Sequence, residues 1–374
     1  MSWEIAQASL DLFLQDQADR PLIEFSGGEP LLEPELLERC INYARDRAGG
    51  QRVRFILTTN GILLTPALVD LLAAHEVGLQ MSFDGVQAAQ DRRGTRTQGH
   101  LREMLAVIRR DHPPYFTDHL RIHACLMPST VETLARSCRF FMDLGVPDVR
   151  FYPVIGQQNE HSRDAFEALN TQMDEVVMES ARHWERKGTV PVSFLRGEPG
   201  VPRNARNGFC CAAGTTSGLC VDTAGRAWSC PLFAKSLQPI PAMAREASDI
   251  LDLGDVRDPN FKARLSALPG KAARLPLLTR RTEKYSSHGA CKDCEFLREC
   301  PHCPAATAHL PGNVDPHRMD DLACAFTRAT SRARKVLNEK TGGAALAAQT
   351  ENFRLALARL ADALQRDAQP KPPQ

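Results

Sequence analysis

Short apolar runs alternate with amphipathic segments through the first half of the chain. Between the first two runs, residues 33–47 place apolar side chains at the spacing of one helical face: Leu36, Leu37, Cys40 and Ile41. Strand followed by helix, repeated along this half, predicts a parallel sheet with helices packed outside it. The predicted strands cover residues 22–25, 53–59, 78–83, 121–127 and 149–155.

Polar or glycine-rich turns follow three of these predicted strands. They read Ser26-Gly27-Gly28-Glu29-Pro30, Thr58-Thr59-Asn60-Gly61 and Ser82-Phe83-Asp84-Gly85. In barrels of parallel strands, chemistry gathers at these C-terminal strand ends. Gly27 and Gly28 let the backbone approach a ligand, and Glu29 can accept a hydrogen bond from a ligand ammonium. The alternative is a tight strand-to-helix turn in which the helix dipole favours Glu29.

Composition narrows the class of protein. The chain has 374 residues, 43% of them hydrophobic, and a formal net charge of +1. This balance does not favour a nucleic acid or an anionic membrane as partner. The first residues do not form a signal peptide, and no apolar stretch is long enough to cross a membrane, so we expect a cytoplasmic protein. Residues 156–205 are predicted to form a helix with connectors, and residues 345–364 a final helix before a frayed tail.

The second half of the chain is rich in cysteine. Residues 291–303 read C-K-D-C-E-F-L-R-E-C-P-H-C, with four thiols in thirteen residues. In a reducing cytoplasm such density indicates metal ligands rather than disulfides, and more than one metal centre. Two interleaved zinc sites and two iron–sulfur clusters both fit this spacing. The candidate ligands are Cys210, Cys211, Cys220, Cys230, Cys291, Cys294, Cys300, Cys303 and Cys324.

Other residues near these cysteines have simpler expected roles. Residues 221–227 predict a hairpin that brings Cys220 and Cys230 together. Cys210 and Cys211 are adjacent and point in different directions in an extended chain, so we expect only one of them to be a ligand. The remaining cysteines, Cys40, Cys125 and Cys138, are expected to be small buried hydrophobic residues, and His288, His302 and His317 to lie at the surface or support the ligands.

Taken together, the three turns and the spaced cysteines resemble radical S-adenosylmethionine (radical SAM) enzymes. The distal cysteines resemble the SPASM extension of peptide-modifying members such as anaerobic sulfatase maturases. Cys211, Gly225 and Cys230 fit its first part; Cys291, Cys294, Cys300 and Cys324 fit its second, with Cys303 one residue early. The resemblance implies an α/β fold: a partial (β/α)6-type TIM barrel that lacks its first strand, in residues 1–205. A SPASM domain in residues 206–330 and a C-terminal helix and tail in residues 331–374 would follow.

The resemblance also implies roles for individual residues. Residues Gly27, Gly28, Glu29 and Pro30 would hold the amino group of S-adenosylmethionine (AdoMet), and Asn60 belongs to the second of the three turns. Ser82 and Asp84 would lie near the ribose, and Arg93 would meet the carboxylate. Two [4Fe–4S] clusters would be bound in the SPASM domain. Cys220, Cys230 and Cys303 with Cys210 or Cys211 would ligate the nearer one, and Cys291, Cys294, Cys300 and Cys324 the farther one.

One family motif is missing from the sequence. The AdoMet-cleaving cluster of these enzymes is bound by Cys-x3-Cys-x2-Cys after the first strand, and this chain has no such motif. Either the sequence starts inside a longer active enzyme, which we favour, or the gene product has lost this chemistry. The polypeptide in its present form is not expected to cleave AdoMet.

Two functions remain open at this stage. The first is radical modification of a peptide or protein substrate, with a flavodoxin- or ferredoxin-type reductant. Pro231 follows Cys230 where sulfatase maturases have an aspartate, which favours a target other than formylglycine formation. The second is a non-catalytic iron–sulfur module that binds or transfers electrons to a peptide maturase.

Overall fold

The structure is a computed structural model. It describes residues 1–15, 21–49, 51–155, 162–196, 213–216, 218–278, 280–297, 299–300, 303–345 and 347–348. Among the helices in these ranges, none has the length and apolar character needed to cross a membrane.

A five-stranded sheet organises the first half of the chain. Every neighbouring pair is parallel and the strands lie in sequence order, which confirms the predicted α/β architecture. The strands are β1 (Leu22–Phe25), β2 (Arg54–Thr59), β3 (Gly78–Ser82), β4 (Leu120–Leu126) and β5 (Val149–Pro153).

Helices cover one face of this sheet. The predicted helix at residues 33–47 is observed as α2, and the one within residues 156–205 as α8. The helices of the first half are α1 (Trp3–Gln15), α2 (Pro34–Arg47), α3 (Pro66–Ala74), α4 (Gln87–Gln90), α5 (Gln98–Asp111), α6 (Pro113–Asp118), α7 (Leu134–Asp143) and α8 (Ser162–Lys187).

The two faces of the sheet differ in polarity because side chains alternate along each strand. In β4 every second residue is buried, beginning with Leu120, while Arg121, His123 and Cys125 between them are partly exposed. The buried face packs against the helices, and the partly exposed face lines the inside of the half-barrel, which we call the lumen. The fold thus presents a polar lumen on an apolar scaffold.

The second half of the chain is built from shorter elements. Its strands are β6 (Cys220–Val221), β7 (Arg226–Trp228), β8 (Asp252–Asp255), β9 (Tyr285–Ser286) and β10 (Gly289–Ala290). Its helices are α9 (Arg245–Leu251), α10 (Phe261–Ala272), α11 (Pro304–Ala308) and α12 (Asp321–Lys340). A separate small core, which includes Phe233, Leu251 and Phe261, lies among these elements, and Ala8 and Leu12 of α1 pack against it.

Helix α12 was not predicted from the sequence. Its buried face, which includes Phe326, Ala329 and Leu337, joins the hydrophobic core of the half-barrel. The Phe326 ring meets the Phe194 ring edge-on, with centroids 5.4 Å apart. Helix α12 runs through residue 330, the predicted end of the SPASM domain, and the domain boundaries stay a prediction. The predicted final helix at residues 345–364 falls almost entirely outside the described residues.

Candidate functional site

The carboxylate of Glu29 connects the first two polar turns. Its oxygens accept hydrogen bonds from the Leu31 N–H (3.1 Å), the Thr59 hydroxyl (2.7 Å) and the Asn60 N–H (2.9 Å). It also caps the short helix that begins at Pro30. An ionised carboxylate offers about four acceptor positions, so one remains for a ligand. Glu29 therefore serves the turn structurally and keeps only limited capacity for an ammonium group.

Open space lies above the preceding glycines. Gly27 has a φ of 124°, a conformation that side-chain-bearing residues rarely adopt, and no atom lies within 4 Å of where a Cβ would be at Gly27 or Gly28. Both residues are exposed. Because β1, β2 and β3 are parallel, this turn shares one edge of the sheet with Asn60 and Ser82. The backbone at these two glycines is therefore open to approach, and binding of a ligand there stays a prediction.

Asp84 is held at the end of β3 by an ion pair with Arg93. The guanidinium donates to both carboxylate oxygens, at 3.1 and 2.9 Å, and Asp84 is only 2% exposed. Asp84 also accepts the Cys125 N–H at 2.7 Å, which fixes the turn against β4. The structure thus places Arg93 on Asp84, where the resemblance implied a ligand carboxylate.

Cys125 belongs to this group, which corrects its assignment as a buried hydrophobic residue. It is partly exposed, faces the lumen, and its Sγ lies 2.9 Å from Arg93 Nη2. Burial raises the pKa of this thiol, and the nearby guanidinium opposes that effect. The alternation of apolar residues in β4 is the sequence signal that could have placed Cys125 on the lumen side. Cys40 and Cys138 are buried, as predicted.

His123 lies two residues before Cys125 on β4 and faces the same side of the sheet. Burial, reinforced by Arg150, lowers its pKa to about 4, so the ring is neutral at physiological pH. Its Nε2 is buried and has no hydrogen-bond partner among the described residues. The ring meets Tyr152 at 5.3 Å between centroids. Within the described part of the chain, His123 therefore places a neutral imidazole with an unpartnered but buried nitrogen beside the lumen.

Three of the predicted cluster ligands surround one cavity in the second half of the chain. Cys291, Cys294 and Cys324 line a space of about 240 Å³ together with Ser286 and other residues: His288, Gly289, Ala290, Asp293, Glu295 and Arg328. Burial, together with the neighbouring thiols, raises the pKa of Cys291 to about 11. Within the described ranges, no three His, Cys, Asp or Glu side chains converge closely enough to hold a single metal ion.

Two hydrogen-bond donors point at these sulfurs. The Ser286 hydroxyl lies 3.3 Å from Cys324 Sγ, and its oxygen accepts the His288 N–H at 3.1 Å, which leaves the hydroxyl proton for the sulfur. Arg328 Nη1 lies 3.6 Å from Cys294 Sγ. Neither residue was singled out from the sequence, because their approach depends on how α12 packs.

The other predicted ligands are only partly described. The hairpin is confirmed, but Cys220 pairs with Trp228, two residues before Cys230, because β6 and β7 have this register. Cys230 and Cys303 pack against the same small core. The Cys300 carbonyl accepts a hydrogen bond from Arg281 at 2.7 Å. Cys210 and Cys211 lie outside the described residues.

Several solved structures share this fold. Native anSMEcpe with bound AdoMet and Kp18Cys peptide aligns over 91% of both chains, with a TM-score of 0.65 and 14% identity. The same protein with Cp18Cys peptide gives a TM-score of 0.68 and 15% identity over 91% of both chains. Streptococcus suis SuiB bound to precursor peptide SuiA aligns over 87% of this chain and 69% of that chain, with a TM-score of 0.51 and 13% identity. The chain therefore shares its fold with anSMEcpe and SuiB, which agrees with the partial α/β barrel that the motifs predicted.

Sequence relatives match shorter segments. An AdoMet-dependent heme synthase of Methanosarcina barkeri is 32% identical over 130 residues, which is 34% of either chain. An uncharacterised protein of Methanocaldococcus jannaschii is 25% identical over 87 residues, or 23% of this chain and 30% of that protein. The chain thus spans about a third of the length of these curated relatives. No protein-family profile matches it.

Proposed function

We propose that this protein belongs to an AdoMet-dependent system that modifies a peptide or protein by radical chemistry, and that its distal region binds two [4Fe–4S] clusters. The arrangement of Cys291, Cys294 and Cys324 around one cavity carries this proposal. Thiolates are the usual ligands of iron–sulfur clusters. These three cysteines surround a cavity and do not converge on a single point, which fits a group of several atoms better than one zinc ion.

The AdoMet part of the proposal rests on the edge of the half-barrel. The Gly27–Gly28 backbone is open to a ligand, and Ser82 lies on the same edge. The anSMEcpe structure contains AdoMet and a peptide, and the SuiB structure contains its precursor peptide. When bound with a reduced cluster, AdoMet supplies a carbon radical that abstracts hydrogen. The part of this chain would be to position AdoMet and substrate and to exclude water.

Metal content of anaerobically purified protein tests the cluster proposal. We expect about eight irons and a similar amount of sulfide per chain, because each cubane holds four irons. Brown, iron-containing protein with a broad visible absorption band supports the proposal. Colourless protein that contains only zinc contradicts it.

Equilibrium dialysis of AdoMet with the reconstituted protein tests the AdoMet part of the proposal. Gly27→Ala adds a Cβ at a φ of 124° in the open turn, and we expect about a tenfold loss of affinity. Gly188→Ala is the matched control, because Gly188 also has positive φ and open surroundings but follows α8. Equal affinities for both variants and wild type would rule out AdoMet at this turn.

The genomic reading frame upstream of Met1 separates the two functions that the sequence left open. An in-frame Cys-x3-Cys-x2-Cys supports an enzyme that receives electrons from a flavodoxin- or ferredoxin-type reductant. A stop codon before any such motif supports the electron-transfer module instead.

A further inference from the structure

Three arginines gather around one carboxylate at the far end of the lumen. Asp148 lies 3.3 Å from Arg121 and 3.2 Å from Arg150, and it also pairs with Arg196. Asp148 precedes β5, and Arg121 and Arg150 lie near the starts of β4 and β5. This arginine cluster therefore occupies the N-terminal edge of the sheet, opposite the glycine-rich turns.

Among the described residues, the arginine cluster carries more positive than negative charge. Three guanidiniums face one carboxylate, and the side chains of Arg121, Arg150 and Arg196 are 39%, 35% and 29% exposed, so each can still reach a ligand. Burial and the neighbouring Arg150 lower the pKa of Arg121. An anion between the guanidiniums would relieve this repulsion and complete their hydrogen bonds, since guanidinium pairs most strongly with carboxylate.

The spacing of residues along β4 gives the distance between the arginine cluster and the AdoMet edge of the sheet. Arg121, His123 and Cys125 face the lumen at successive two-residue steps. With about 3.3 Å per residue, Arg121 and Cys125 are about 13 Å apart along the strand. His123, neutral and with its Nε2 unpartnered among the described residues, lies halfway between them. A molecule that extends through the lumen can therefore reach the cluster with one end and the AdoMet edge with the other.

We propose that Arg121, Arg150 and Arg196 bind a carboxylate of the substrate, and that this contact sets how far the substrate extends toward the AdoMet edge. The inference rests on the proposed function, because it assigns the substrate of that same site. A carboxylate of this kind is found on an acidic peptide side chain and on the propionate of a tetrapyrrole. The guanidiniums would bind the carboxylate group that both kinds of molecule carry.

Two matched pairs of probes test this inference without AdoMet or reductant. A heptapeptide amide with a neutral dye and one central Glu is compared with its Gln counterpart by fluorescence anisotropy. Protoporphyrin IX is compared with its dimethyl ester by fluorescence quenching. We expect the carboxylate form to bind about tenfold more tightly than the neutral form in at least one pair. A preference in the peptide pair assigns an acidic peptide, and one in the porphyrin pair assigns a tetrapyrrole.

The variants show whether the arginine cluster causes the preference. In Arg121→Gln and Arg150→Gln we expect the ratio between the two forms to fall, and to reach about one in the variant that removes the guanidinium making the bidentate contact. Each single variant leaves Asp148 with two arginine partners, and Arg121→Lys, which keeps the charge, serves if Arg121→Gln does not fold. Arg139→Gln is the matched control, because Arg139 pairs with Glu179 outside the lumen.

The result can overturn the inference in two ways. The inference is wrong if neither pair of probes shows a preference for the carboxylate form. It is also wrong if the preference persists unchanged in both glutamine variants. The proposed function fails separately: a carboxylate preference that persists in a protein unable to bind AdoMet or iron leaves the arginine cluster as a ligand site of another kind.

Discussion

The half-barrel and the cysteine-rich region are held together by different means. In the half-barrel, Leu57, Leu79 and Met81 are fully buried between a five-stranded sheet and its helices. In the cysteine-rich region the strands have two to four residues, and the small core leaves the thiols of Cys291, Cys294 and Cys324 around a cavity. Packing alone accounts for the first region. In the second, Cys324 lies on α12 but Cys291 and Cys294 lie at a single short turn of helix, and such short elements are typical of domains that a metal stabilises.

The largest effect is expected from the loss of a proposed cluster ligand. Cys294→Ser should remove about four of the eight expected irons per chain and reduce solubility, because metal binding and folding are linked. Iron analysis and limited proteolysis measure the two effects. Cys125→Ser is the matched control, since Cys125 lies in the lumen and should leave the iron count unchanged. Full iron content in Cys294→Ser would refute the ligand assignment.

The converse change tests the half-barrel. Leu57→Ala removes a fully buried side chain from the sheet, and we expect the free energy of unfolding to fall by about 2–5 kcal/mol. Urea unfolding monitored by circular dichroism measures it. Leu32→Ala, at a residue 67% exposed, should cost far less. Iron content should not change in either variant, and a parallel loss of iron would mean that the two regions do not differ as described.

How much the sequence revealed also differs between the two regions. The five strands were predicted within a few residues because apolar periodicity reports directly on a sheet with one buried face. Helix α12 was not predicted, although Phe326, Ala329 and Leu337 lie on its buried face. Several of its buried residues are alanines, which weaken the apolar pattern.

Contacts between distant residues were the least predictable part of the site. The sequence identified Asp84 and Arg93 as site residues but not their ion pair, which depends on how α4 and the following turn fold back. The sulfur contact of Arg328 and the approach of three arginines to Asp148 likewise join separate elements. Local pattern places a residue on a face, and tertiary packing decides which side chain it meets.

A smaller effect is expected from the donors that face the sulfurs. Hydrogen bonds and positive charge near cluster sulfurs favour the reduced, more negative state. Arg328→Gln should therefore lower the equilibrium constant for one-electron reduction by about tenfold, which is about 59 mV. A redox titration followed by electron paramagnetic resonance measures the shift. Arg332→Gln, one turn further along α12 and also over the Phe296 ring, is the control without a sulfur contact. Equal shifts in both variants would show that only general charge matters.

The smallest expected effect concerns pH and returns to the lumen. The pKa of His123 is lowered to about 4, chiefly by burial, whereas an unfolded histidine titrates near about 6.5. Between these values the unfolded chain binds a proton that the folded chain does not, so His123 makes the half-barrel less stable as pH falls from about 6.5 to 4. His123→Gln should remove this contribution, and its urea midpoint should fall less than that of wild type between pH 7 and 5. Between about pH 7.5 and 8.5 the two proteins should respond alike, because the histidine is almost entirely neutral there in both the folded and the unfolded chain. The same loss in both proteins at pH 5 would place the acid-sensitive group elsewhere in the chain.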